Sequence, residues 1–281
     1  MKTIIRSAVY LGVIACFSLV ARAGTVIQQE GGEIGSNKPK SKITLYLDAG
    51  KLRVDTQDSG NQSIMIFDAS KQVMWMISPA ENTYREMDKA QIDAMGQQMS
   101  KAMEQMQAQM ANMPPEQRKM MEDMMKGKMG AMGGASAKPT ISLKELGSEK
   151  VGSYNTTHYE MLTNGERTQE IWAAPFDQAK LSPADFKTFQ DMSKFFESIT
   201  RNVPSGSYSF SSMEQLKGFP VKTVQYNGGK PSHEWSMVSV EQKSIDGSLF
   251  TLPAGVKKAE MPSMGGPMGG GMGGPPGRGR Q

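Results

Sequence analysis

In "KITLYLD", residues 42–48, Ile43, Leu45 and Leu47 occupy every second position. A period of two belongs to a strand with one buried face. The run ends in the turn "DAGK" and resumes as "KLRVD", where Leu52 and Val54 alternate in the same way. Denser apolar runs follow in "SIMIF" and "QVMWMIS", separated only by "DASK", and "TYREM" closes the series. Strands this short, with connections this brief, reach only their sequence neighbours. They predict an antiparallel meander of about six strands between Gly24 and Met87.

The pattern returns after residue 139 with "TISLKEL", "NTTHYEML" and "TQEIWAA". "TNGE" joins the last two, and its Asn-Gly pair tolerates the positive φ of a tight hairpin turn. "FPVKTVQY" and "HEWSMVSVE" flank the turn "NGGKPS". In the second of these, Trp235 and Met237 share one parity while Val238 and Val240 share the other. That switch predicts a bulge, or a strand covered on both faces. Trp75 and Trp235 are read as core residues rather than ligand contacts.

Residues 88–134 break the pattern. They are rich in Met, Gln, Lys and Glu, with no β-branched residue after Ile92, so a helical arm is expected between the two sets of strands. Pro114-Pro115 divides it, because proline donates no N–H and restricts the residue before it. The second half carries Met120, Met121, Met124 and Met125. Another helix is expected after Ser182, a good N-cap followed by Pro183 at the first helical position. Its buried stripe is Phe186, Phe189, Met192, Phe195, Phe196 and Ile199. The fold class expected is α+β, a single curved antiparallel sheet whose apolar face is covered by these helical segments.

The ends are not part of the fold. Lys2 and Arg6, an apolar run from Ala8 to Val20, and Ala21-Arg22-Ala23 have the form of a secretory signal peptide over residues 1–23. The run is too short for a comfortable membrane span. The protein is therefore expected in the periplasm or secreted. Val13-Ile14-Ala15-Cys16 resembles a lipobox and leaves open a lipoprotein anchored through Cys16. Cleavage after Ala23 would leave no cysteine, hence no disulfide or thiolate site. It also removes three cations, Lys2, Arg6 and Arg22, and lowers the formal charge from +4 to +1. A near-neutral chain does not favour nucleic-acid binding. Residues 261–281, rich in Gly, Pro and Met, are expected to be a disordered tail.

"DASKQVMWMISPAENTYREM", "GSYNTTHYEML", "TQEIWAAP", "GFPVKTVQY" and "GSLFTLPAGVKKAEMP" resemble an uncharacterised bacterial family of exported proteins carrying a domain of unknown function. That family resembles the superfamily of periplasmic lipoprotein carriers and their outer-membrane acceptors, LolA and LolB. The resemblance covers most of residues 24–262 apart from the methionine arm. It implies an incomplete, half-open β-barrel domain over 24–260 with helices across its concave side, and an apolar concave surface that shields acyl chains. Arg53 is the positional candidate for the carriers' gating arginine.

The arm poses the functional question. Met95, Met99, Met103, Met106, Met110 and Met113 follow helical spacing. Fixing a methionine costs about 1.5 to 2 kcal/mol of rotamer freedom against roughly 0.5 to 1 for leucine. Six rigid methionines therefore forfeit on the order of 5 kcal/mol relative to leucines. The loss shrinks if the side chains stay mobile, as on a face that accepts varied apolar shapes. Three readings follow: a plain packing face, an adaptable lid over a hydrophobic ligand, or thioether ligands for Cu(I) at Met103, Met106, Met110 and Met113. The lid reading enlists Phe186, Phe189 and Phe196 as groove or core residues. It implies a lipid or lipidated protein as partner and allows peripheral contact with the envelope membrane. The oligomeric state is open.

No enzyme is expected. His158 and His233 sit singly in strands, Asp55 and Asp58 read as solvated turn carboxylates, and no phosphate-binding, dinucleotide or nucleophile-elbow motif occurs. No cofactor is implied.

Overall fold

The computed structural model describes residues 23–112, 114, 116, 117, 140–200 and 215–260. Residues 1–22, on which all but the last residue of the expected signal peptide (1–23) and Cys16 fall, Met113, the second half of the arm with Met120, Met121, Met124 and Met125, and the tail lie outside the described residues.

The chain opens with β1 (Gly24–Glu33), β2 (Ser41–Asp48), β3 (Lys51–Asp58), β4 (Asn61–Asp68), β5 (Val73–Ser78) and β6 (Thr83–Asp88). Helix α1 (Lys89–Ala111) follows, then β7 (Ile141–Val151), β8 (Tyr154–Thr163) and β9 (Glu166–Ala174). Helices α2 (Pro183–Phe195) and α3 (Glu197–Thr200) precede β10 (Phe219–Asn227), β11 (Lys230–Lys243) and the two-residue β12 (Lys257–Lys258). All twelve strands form one sheet, in the order β12-β6-β5-β4-β3-β2-β1-β11-β10-β9-β8-β7. The fold is thus mostly β, with few helices, and has the single large open curved sheet that the sequence predicts.

Two meanders meet at β1, which pairs antiparallel with both β2 and β11. Tight turns set the meanders. Ala49-Gly50, Ser59-Gly60, Asn164-Gly165 and Gly228-Gly229 all place two successive residues at positive φ, the twist that matches flanking strands. The parity switch in β11 is a bulge: Gln28 faces Ser239 and Gln29 faces Met237, which leaves Val238 unpaired and 56% exposed.

Both faces of β4 and β5 are covered, which is why those runs read as continuously apolar. On one face Phe67 and Met74 join Leu47, Leu52, Met87, Ile92 of α1, and Phe189, Met192 and Phe195 of α2. This is the helix face. On the other, Ile64, Ile66, Val73, Trp75 and Ile77 pack under Ile245, Leu249, Phe250, Leu252 and Val256. Residues 245–258 run over that face as a strap, ending where β12 pairs parallel with β6. Arg53 lies under the strap, not on the helix face. Its guanidinium holds Asp55 and donates to the Leu249 carbonyl at 3.0 Å. Asp55 is therefore a paired, partly buried carboxylate, not a solvated one.

Both long helices begin with reciprocal caps. Gln91 N donates to Asp88 Oδ1 at 2.7 Å while Asp88 N donates to Gln91 Oε1. Ser182 and Asp185 repeat the device at α2, with Pro183 in the first turn as expected. Buried Asp185 also accepts from Thr25 Oγ1 at 2.8 Å, which fixes α2 to β1.

Candidate functional site

The register places helix-face residues in rows across the strands. The first row, Thr25, Leu47, Leu52, Phe67, Met74 and Met87, is buried throughout beneath α1 and α2. Phe195 meets Phe67 at 5.3 Å between ring centres, and Phe189 lies against Phe219. The second row runs Val240, Ile27, Leu45, Val54, Met65, Met76 and Arg85. Its first three members are buried; Val54, Met65 and Met76 are half-buried. In the third row Met237 and Ile43 are half-buried on either side of Gln29. A fourth row, Trp235, Gly31 and Ser41, turns polar, and Ser41 Oγ donates to Asp58 Oδ1 at 2.7 Å.

Cover therefore thins across the face, from a closed apolar core to a half-open apolar band to a polar margin. From β5 to β11 the band crosses five strand spacings, about 24 Å. The polar margin opens into a groove of about 550 Å³ lined by Ile34, Ser41, Asp58, His233 and Trp235 among others. Trp235 is half-buried rather than core, and its ring lies directly over Gly31.

The methionine helix is anchored at its base. Ile92 is fully buried, and Gly96 abuts α3 so closely that a Cβ would meet the Ser198 carbonyl at 2.4 Å. Ser198 Oγ donates to Asp93 at 2.6 Å. Lys89 and Ser198 both hydrogen-bond the Asp93 carboxylate and hold it below its usual range. Met95 and Met99 are half-buried on this docked part. Met103, Met106 and Met110 belong to α1, but their side chains lie outside the described set. Phe189 is core, Phe186 packs on Phe176 at 4.8 Å, and Phe196 meets Phe195 edge-on. The second row, the half-open band and the anchor of the arm thus lie on one face.

Two features escaped the sequence. Arg85 shares its face with Met87 and pairs across to Met76, and its Nε is buried without a hydrogen-bond partner. The signal was available in "TYREM", where an arginine takes a parity otherwise given to the core. The second feature lies on the opposite face of β8–β10. His158 stacks on Trp172 at 4.3 Å, Lys222 lies over the same indole, and Trp172 Nε1 donates to Glu149 at 2.7 Å. Among the described residues no cluster of three or more His, Cys, Asp or Glu is arranged to hold a metal ion. Among them, too, no helix is long and apolar enough to cross a membrane.

An open antiparallel sheet with helices fastened over part of one face is a cradle. The chain belongs to the family described as "Domain of unknown function (DUF4412)", whose model matches residues 88–256. That span includes the methionine helix, which the sequence resemblance sets apart, and excludes β1–β5 and all of β6 but Asp88. No curated protein matches the chain. Among solved structures it is similar to an uncharacterized conserved protein from Thermus thermophilus, at 9% identity over 85% of this chain and 90% of that one, TM-score 0.43. It is also similar to PNGF-II, at 12% identity over 84% of this chain and 31% of that one, TM-score 0.38. A third is a chain of the Pseudomonas aeruginosa MucA/MucB complex, at 10% identity over 83% of this chain and 57% of that one, TM-score 0.35. These likenesses are too distant to carry an argument about function.

Proposed function

We propose that this is an exported, non-enzymatic protein that binds or shields a hydrophobic ligand, a lipid or a lipidated partner, in the cell envelope. On this reading the helix face is the concave side of a half-open barrel of the LolA/LolB kind, and the methionine arm is its adaptable lid. The observation that supports it is the half-open band itself. Val54, Met65, Met76, Ile43 and Met237 pack against the core yet stay partly exposed, on the face that α1 joins through Ile92 and α2 through Phe189, Met192 and Phe195. Unbranched thioethers adapt to an irregular apolar guest at little strain.

Native mass spectrometry of the protein purified from its own envelope is the direct test. Bound lipid is expected, with displacement of a fluorescent fatty acid by the same extract. Met65→Gln with Met76→Gln should weaken that binding about tenfold or more while leaving the fold intact, since both side chains are only half-buried. A protein that arrives empty or carrying copper alone, and binds no fluorescent fatty acid, overturns the reading.

A further inference from the structure

Arginine keeps its charge at any physiological pH, and its five N–H donors go unsatisfied at a cost when buried. The described residues contain three arginines. Arg53 holds Asp55, and Arg167 holds Glu160 and Glu170. Arg85 makes no ion pair and no side-chain hydrogen bond among the described residues, and its Nε is buried. It stands at the β6 end of the second row, directly across from Met76 and in line with Met65 and Val54. A fixed cation thus terminates a half-open apolar strip. Unpaired arginine on an apolar face is costly unless an anion completes it.

We infer that Arg85 anchors the anionic head of an amphipathic ligand whose apolar chain lies along Met76, Met65 and Val54. The shared chemistry is a carboxylate or phosphate on an acyl or alkyl chain, the groups that a planar guanidinium grips with paired hydrogen bonds. The inference rests on the hydrophobic-ligand reading above and adds the polarity and position of the head.

The test compares laurate, dodecyl phosphate and dodecanol, which share one chain length, by displacement of a fluorescent fatty acid. The mature protein should bind at least one anionic ligand about ten- to hundredfold more tightly than dodecanol. The preferred anion separates a fatty-acid head from a phospholipid-like one. Arg85→Met should erase the preference while retaining dodecanol binding, and Arg85→Lys should keep part of it. Because Met removes an unpaired buried donor, the variant should melt no lower than the parent. Equal affinity for all three ligands, unchanged in Arg85→Met, removes the anchor and leaves the hydrophobic-ligand reading standing. Binding of none of the three overturns both.

Discussion

Trp235 closes down on Gly31 at the centre of the sheet. A Cβ built on Gly31 would lie 2.3 Å from the indole and 2.4 Å from the Glu234 carbonyl. The carbonyl cannot retreat without breaking the β1–β11 ladder, so the ring must lift and the strands must part. Gly31→Ala should therefore destabilise the protein by about 1 to 3 kcal/mol, the range for overpacking. It should also shift the fluorescence of Trp235, isolated by replacing Trp75 and Trp172 with Phe in both proteins. An unchanged emission spectrum in Gly31→Ala would show that the ring does not rest on the glycine. The contact matters beyond stability, because it lays a half-buried aromatic ring at the polar margin of the band.

At the scale of elements, the strap is held by an apolar plug and by polar ties, the Arg53 bond to the Leu249 carbonyl among them and a clasp at its far end. Phe250 is buried among Ile64, Ile66, Trp75 and Ile77. At the strap's far end Glu86 accepts from Lys258 Nζ at 2.7 Å and from Trp75 Nε1 at 2.8 Å. The Lys258 bond, then the Trp75 bond, hold Glu86 below its ordinary value of 4.5. A carboxyl depressed on folding adds stability above the unfolded pKa, and that stability is lost as pH falls through the folded one. Acid below about pH 4.5 should therefore loosen the clasp before the core fails, seen as a change in Trp75 emission. Glu86→Gln should abolish that early step, and an identical acid profile in the variant would refute the clasp. Much of this scale was legible in the sequence. Alternation and two-residue turns located the strands, the Trp235/Val238 parity switch located the bulge, and Ser182-Pro183 located the start of α2. What alternation cannot supply is which face of each strand meets which partner. Arg53 and Arg85 both sit in amphipathic strands, yet one lies beneath the strap and the other on the helix face. Only the long-range path of residues 245–258 decides that, and those residues show no local period.

For the whole molecule, β1 is the keystone. Among the described strands it joins the meanders β1–β6 and β7–β11 into one sheet, and its partner β11 lies more than two hundred residues away, as in the Thr25–Gln242 bond. Thr25 also carries Asp185, so sheet closure and the docking of α2 are completed by the same strand. Each meander can form from local contacts, but the core of the helix face needs Ile27 between Leu45 and Val240. Pairing over such a separation closes a long loop before it gains contacts, so folding should be slow, on the order of milliseconds to seconds. Without β1, strands β2 and β11 become naked edges, the condition that invites pairing with other chains. A chain beginning at Ile34 should therefore fail to reach the native near-ultraviolet signal and should self-associate. A synthetic peptide spanning residues 23–33, added in excess, should restore the signal by supplying the missing strand, and Ile27→Asp in the peptide should abolish rescue because that side chain enters the core. A truncated chain that folds alone, as a monomer with the parent's melting temperature, would mean that the two meanders are joined by something other than β1.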